Sequence, residues 1–423
     1  MLRVAMKMLL GDRAKYVGLL LGITFTSFLV TFAGSYFCGF MTRGFALIAE
    51  NPGADVWVMD PAVESTEQTI NIPDWALSRV RSVDGVLSAV PLALASADAR
   101  FPNGRFQSFQ LIGVDDATLF GLPPLQDGVS PTVLRTPDAV VVDSGGTEGK
   151  LQTPALAADQ WPYRQPHLEV PTGEPGGETA LYRLIPDSFK PHLGVPTREL
   201  AAGDQLLVND HRVVIRGRAK APPRYPPKPL MYTTLSNASR MLPPERHFLT
   251  FVLAKAAPGV SPQELATRIE AQTDLKARSS DAFKADTVDW LLINSEDVGD
   301  MASMISIAML VGFGVTGVML YMFTTDSLKQ YAVLKAMGAS SRLLLAMIFV
   351  QSGLCAFLGT GLGLGLCAII GQIAIVEFDY PFRMMWFTPV VGGLMVMLVS
   401  IVAAAISARP VLKLEPGVVF AGR

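Results

Sequence analysis

Four stretches of this chain are too long and too apolar for a soluble fold: residues 16–40, 301–323, 343–376 and 387–407. Hydrocarbon offers no water to pair with backbone N–H and C=O groups, so a crossing segment must satisfy its own backbone. A run of about 20 apolar residues does so as a helix. The third stretch exceeds a straight crossing and must tilt or project beyond the bilayer. Composition agrees, since only 17% of the residues are charged against about 25% in soluble domains. A net charge of −2 gives no case for nucleic acid. The first stretch is also weighed as a signal peptide. It outruns the usual 7–15 apolar residues of such a leader, and no A-x-A site follows.

Basic residues orient the spans. Arg3, Lys7, Arg13 and Lys15 stud residues 1–15, which read as an amphipathic helix on the inner membrane face. Lys329, Lys335 and Arg342 lie between the second and third spans, and Arg409 and Lys413 follow the fourth, whereas the opposite edges hold only Arg43 and Arg383. The positive-inside rule then puts both termini, residues 325–342 and the tail 408–423 in the cytoplasm, and residues 41–300 outside.

That polar middle reads as mixed α/β. Strands are expected at residues 54–59, 86–97, 106–114, 139–142, 205–208 and 212–215, with turns at Gly203-Asp204 and Asn209-Asp210. Helices are expected at 74–83 and at 261–272, the second opened by Ser261-Pro262 with Glu264 completing a capping box. Residues 144–196 are rich in Pro and Gly and read as an insertion or mobile flap. Residues 221–229 are polyproline-like and stiff, a connector or, more sharply, a docking surface. The cysteines, Cys38, Cys355 and Cys367, all fall in apolar stretches and suggest no disulfide.

The break at 325–342 is the most informative polar segment. Leu328, Tyr331, Leu334 and Met337 recur every third residue, Gly338 stops the short helix, and Ser340 and Ser341 cap the next. An apolar stripe on a cytoplasmic turn needs lipid headgroups, its own helices or a partner to cover it, and a partner is the reading taken. The run from Tyr331 to Ala339, YAVLKAMGA, resembles the cytoplasmic signature of FtsX-like ABC-transporter permeases, the family of macrolide-exporter and lipoprotein-releasing permeases. The segments Leu111–Asp116, Leu200–Gly217, Met231–Leu242 and Arg409–Phe420 resemble recurring pieces of the same family. Lys329-Gln330 stands where many members carry an acidic residue or arginine, and the 144–196 insertion departs from the compact members.

The resemblance implies a membrane α-helical fold of four transmembrane helices with a large mixed α/β extracytoplasmic domain between the first two. It implies a bacterial inner-membrane protein whose 325–342 helix docks on a separate ABC ATPase, present in two copies, through Leu328, Tyr331, Val333, Leu334, Lys335, Met337 and Gly338. This chain would bind no cofactor; ATP and Mg would sit on the ATPase. A homodimer is implied, with Gly312, Gly314 and Gly317 in the second span as seam candidates. Gly359, Gly361, Gly363 and Gly365 form overlapping small-xxx-small pairs in the third span, read either as packing within one subunit or as the seam. The chain looks most like the heterocyst-glycolipid-exporter type, which implies a lipid-like substrate, a membrane-fusion adaptor and an outer-membrane channel. The alternative is an FtsX-like signalling protein that regulates a periplasmic cell-wall hydrolase or senses a ligand.

Other chemistries find no support. Residues 145–150, GGTEGK, superficially match a phosphate loop, but that loop needs Gly where Ser144 stands and Ser or Thr where Leu151 stands. His167, His192, His211 and His247 lack ligand spacing, so no metal is expected. Asp300 and Asp326 flank the second span and no ionisable residue lies in a span core, which argues against an ion-coupled carrier. No nucleophile motif is present, so an independent membrane enzyme is not expected.

Overall fold

The computed structural model describes residues 13–102, 104–144, 151–155, 196–225, 227–243, 249–378 and 380–412. The amphipathic segment up to residue 12, residues 145–150 and 156–195 of the Pro/Gly-rich stretch, His167, His192, His247 and the tail from residue 413 lie outside the described residues. Along the chain, α1 (Arg13–Gly44) and α2 (Ala46–Glu50) precede β1 (Val56–Met59), α3 (Trp75–Arg81), β2 (Val86–Arg100), β3 (Phe106–Val114) and β4 (Ala139–Asp143). Then come β5 (Gln152–Pro154), β6 (Thr197–Glu199), β7 (Gln205–Val208), β8 (His211–Ala219), β9 (Leu230–Thr234) and α4 (Leu235–Met241). Next are β10 (Phe251–Ala256), α5 (Pro262–Thr273), β11 (Lys276–Ser279) and α6 (Ser280–Asn294). The last are α7 (Glu296–Asp326), α8 (Leu328–Ala336), α9 (Ser341–Phe378), α10 (Phe387–Ser407) and α11 (Arg409–Leu412). They form two compact units: Arg43–Leu291, and Met1–Thr42 with Leu292–Arg423.

The α/β unit opens with an antiparallel sheet in the order β11-β1-β10-β2. Helix α3 joins β1 to β2 and α5 joins β10 to β11, so two β-α-β halves interleave in a split β-α-β arrangement. Val56, Val58, Val252 and Ala254 meet Ala76, Val80, Leu265 and Ile269 of the two helices on one face. On the other face Trp57 packs edge-on against Phe251 at 5.4 Å. Strand β1 is buried on both sides, which is why VWVM reads as continuous rather than alternating. Helix α5 starts with Ser261 Oγ accepting from the Glu264 amide at 3.2 Å. The Glu264 carboxylate turns instead to Arg268, so the expected capping box is half made.

The long strand β2 runs from this sheet into a second one. Its first half pairs with β10 and its second half, Ala93–Arg100, with β3. The order continues β3-β9-β4-β8-β7, and β7 returns to β2 through Ala99↔Val208 and Arg100↔Leu207. The six strands therefore close into a ring, which removes their free edges. Every strand of the ring supplies one shared cluster, including Phe109, Leu111, Val140, Val208, Ile215 and Met231, and α4 adds Ala238 and Met241. That cluster fills the lumen. The β7–β8 connection is the expected Asn209-Asp210 turn, with φ of 46° and 66° as a two-residue type I′ hairpin requires. The expected strand 212–215 is longer in the structure because a register shift at Val140/Val141 lets β8 continue along β4.

The polyproline-like stretch before β9 is tied down as a strap. The Ala221 amide donates to Asp143 Oδ1 at 3.1 Å and the Tyr225 amide to the Arg43 carbonyl at 3.3 Å. Between them Arg224 enters the interior with its side chain 8% exposed, against Glu50 at 4%. Arg224 Nη2 donates to Glu50 Oε2 at 2.5 Å, Tyr232 Oη donates to Glu50 Oε1 at 2.6 Å, and Arg224 Nη1 donates to Gln110 Oε1 at 3.1 Å. Burial pushes the Tyr232 phenol well above its ordinary pKa, so it stays a donor to the carboxylate.

In the helical unit, α1, α7, α9 and α10 are each long and apolar enough to cross a membrane. Their shared core includes Leu19, Ile23, Leu320, Phe323, Ile348, Cys355 and Val396, while Leu310, Phe357 and Leu394 project outward. Hydroxyls tie the helices where burial leaves no water. Thr26 Oγ1 lies 3.3 Å from both the Gly312 carbonyl and Thr316 Oγ1, Ser27 Oγ donates to the Thr360 carbonyl at 3.3 Å, and Ser352 Oγ to the Ser400 carbonyl at 3.2 Å. The segment between α9 and α10 folds back onto α1, with Tyr380 stacked on Tyr36 at 4.7 Å and the Arg383 amide donating to the Ser35 carbonyl at 3.0 Å. Cys38, Cys355 and Cys367 are free thiols.

Candidate functional site: the elbow between α7 and α9

Helix α8 spans nine residues between two tight turns. At its start the Tyr331 amide donates to the Ser327 carbonyl at 3.1 Å. At its end Gly338 takes φ +96°, the Ala339 amide reaches back to the Leu334 carbonyl at 3.0 Å, and the Gly338 amide reaches the Lys335 carbonyl at 3.1 Å. This is a Schellman closure, and it needs the left-handed residue that glycine supplies. Ser340 then opens α9, its carbonyl accepting from the Leu344 amide at 3.2 Å.

The expectation of one apolar stripe along α8 is corrected. Residues three apart on a helix of 3.6 residues per turn drift about 60° at each step, so the series Leu328, Tyr331, Leu334, Met337 winds about half-way round. Tyr331 is fully buried and donates its hydroxyl to Gln351 Oε1 of α9 at 3.0 Å. Leu328, Leu334 and Ala339 pack partly against the same core. Val333 is 42% exposed and Met337 70% exposed, and they share an outward face with exposed Gln330. Lys335 is half-buried, and Lys329 and Gly338 are exposed. The residues proposed for docking thus divide into an inner set that fastens α8 to its own helices and an outer set that remains accessible.

The glycines divide by the same rule. A Cβ at Gly312 would meet Thr26 Cγ2, one at Gly359 would lie 2.8 Å from Ile23 Cγ2, and one at Gly363 would lie 2.6 Å from both Ser27 Cβ and the Thr24 carbonyl oxygen. At Gly314, Gly317, Gly361 and Gly365 an added Cβ meets nothing within 4 Å. Two residues along a helix is about 200° of rotation, so Gly359/Gly363 and Gly361/Gly365 occupy opposite faces of α9. Close packing of α9 on α1 needs the first pair, and the second pair faces away. No three His, Cys, Asp or Glu side chains gather as a metal site among the described residues, and His211 is exposed at the start of β8.

Residues 302–416 match the family model described as FtsX-like permease C-terminal, a segment that takes in most of α7 and all of α8 to α11. No curated protein matches the chain. Among solved structures the chain is similar to the extracellular domain of the noncanonic ABC-type transporter YknZ from Gram-positive bacteria. The identity is 14% over 53% of this chain and 98% of that one, with a TM-score of 0.30. It is also similar to the periplasmic region of MacB from Actinobacillus actinomycetemcomitans, at 11% identity over 58% of this chain and 94% of that one, with a TM-score of 0.34.

Proposed function

We propose that the chain is the membrane-spanning permease subunit of an ABC-type exporter, one that turns force from a separate ATPase into motion of its α/β unit. The observation that carries this reading is the exposed face Gln330, Val333 and Met337 on a helix clamped from behind by Tyr331, inside the segment that matches the FtsX-like model. A push on a loosely tethered loop would be lost in bending. Here the Tyr331–Gln351 bond and the tight Gly338 closure fasten α8 to α9, so displacement of the outer face would move the helix pair. ATP and Mg belong to the ATPase, two copies of which would serve a homodimer of this chain. The outward glycines Gly314, Gly317, Gly361 and Gly365 are the proposed seam.

In this reading the basic edges lie in the cytoplasm, the membrane is the bacterial inner membrane, and the α/β unit works in the periplasm. There it would act with a membrane-fusion adaptor and an outer-membrane channel on a lipid-like substrate, as heterocyst-glycolipid-type exporters do. The test is ATP hydrolysis recovered with the affinity-purified full-length chain from native membranes. Val333→Asp and Met337→Asp alter side chains already exposed, so membrane insertion and thermal stability stay at wild-type values while co-purified hydrolysis falls at least tenfold. Hydrolysis unchanged in both variants refutes the docking face.

A further inference from the structure

We infer that the cavity walled by Arg43, Arg224 and Lys228 in the α/β unit binds an oxyanion, the phosphate or carboxylate head of a small ligand. The inference stands apart from the transport reading and uses different residues. The cavity holds about 50 Å³ and is lined by polar groups, with Thr66, Glu67, Ser96 and Gln110 among them. One water needs roughly 10–15 Å³ by the same measure, so there is room for a head group of a few heavy atoms.

Three features point to an anion. Arg224 is inside the protein, its Nη atoms are committed to Glu50, Gln110 and Tyr232, and its buried Nε–H has no partner among the described residues. A buried donor left unmade is costly, and a ligand oxygen would satisfy it. The wall also carries three cationic side chains, Arg43 at the end of α1 and Arg224 and Lys228 on the strap; Glu50 offsets Arg224 from behind, and Glu67 is the one carboxyl that lines the wall itself. Burial pushes that carboxyl up to about 7, with Lys228 and Arg224 pulling the other way, so near neutrality it offers the cations only part of a charge. Thr66 Oγ1, fastened to the Gly44 carbonyl at 2.7 Å, fixes the segment that carries Glu67 against the same wall.

The source of the anion follows from where the wall begins. Arg43 and Gly44 close a helix long enough to cross a membrane, the level at which a lipid presents its head group. Buried Arg224 would form the floor and exposed Lys228 the rim. Because a bound anion and ionised Glu67 repel, binding takes up a proton and weakens as pH rises through about 7.

The test titrates the full chain in neutral detergent, by calorimetry, with lysophosphatidic acid, with inorganic phosphate, and with lysophosphatidylcholine as the zwitterionic control. Saturable binding of lysophosphatidic acid is expected, weakened about tenfold by Lys228→Gln and weaker at pH 8 than at pH 6 in the wild type. Glu67→Gln removes that weakening and leaves only the phosphate's own second ionisation, which favours binding at pH 8. Both variants preserve the fold, which thermal unfolding verifies. Inorganic phosphate binding with the same sensitivity to Lys228→Gln supports the site with a free anion as its source. No saturable binding of either anion, or an affinity indifferent to Lys228→Gln, overturns the inference.

Discussion

Gly363→Ala is the sharpest test of how α9 packs. The added Cβ would lie 2.6 Å from the Thr24 carbonyl oxygen and 2.6 Å from Ser27 Cβ. Ordinary van der Waals contact begins roughly 0.8 Å farther out, and the obstruction includes backbone, so α1 and α9 must separate. Forcing extra volume into a packed site costs about 1–3 kcal/mol. Separation also stretches the 3.3 Å bond from Ser27 Oγ to the Thr360 carbonyl, worth about 0.6 kcal/mol in membrane interiors. A total of about 2–3 kcal/mol corresponds to a fall in Tm of roughly 5–10 °C. The controls are Gly361→Ala and Gly365→Ala on the same helix, where the new methyl meets nothing within 4 Å. These should hold or raise Tm, since alanine favours helix over glycine by about 1 kcal/mol. Size-exclusion thermal stability in a fixed detergent reads all three. A Gly363→Ala protein as stable as wild type, or an equal loss in Gly361→Ala, would refute the placement of α9 against α1.

The buried pair and the perturbed carboxyl give two further expectations. Glu50→Gln strands the Arg224 charge inside the α/β unit and should destabilise it by about 3–5 kcal/mol, whereas Glu50→Gln with Arg224→Met should recover most of that loss; thermal unfolding followed by near-UV circular dichroism reports both. Glu67 has its folded pKa raised from 4.5 to about 7, so the folded state holds the proton more tightly than the unfolded chain. Its contribution is therefore neutral below about pH 4.5, becomes increasingly unfavourable up to about pH 7, and stays constant above, at about 3 kcal/mol. The difference in unfolding free energy between wild type and Glu67→Gln should follow that curve, and a flat difference from pH 4 to pH 8 would contradict the burial of Glu67.

Local pattern carries some elements of this fold and not others. Phe109-Gln110-Leu111 alternates and leads into apolar Ile112 and Val114, and Asn209-Asp210 supplies a turn pair, so β3 and the β7–β8 hairpin are legible. Strands β9 and β10 leave no such signal, because LMYTT and FVLA are buried on both faces and show no period of two. Strand β11 leaves none either, because KARS carries too little apolar content to signal a strand. At the elbow, the Gly338 stop was readable because a positive φ has a residue-level preference. The face that stays exposed is not the one a spacing of three suggests, since steps of three drift round the helix, whereas the i, i+3, i+7 spacing of Gln330, Val333 and Met337 keeps to one side.

By itself the sequence determined four helices able to cross a bilayer, a polar α/β middle and a short capped helix between the second and third spans, since each depends on residues near one another in the chain. Tertiary structure alone decided which glycines of α9 face α1, that β7 returns to close the ring on β2, and that Glu50 meets Arg224 across a separation of 174 residues. Periodicity states which side of an element is apolar or small. What lies against that side depends on shape and charge brought together only when distant segments pack, and no local period records it.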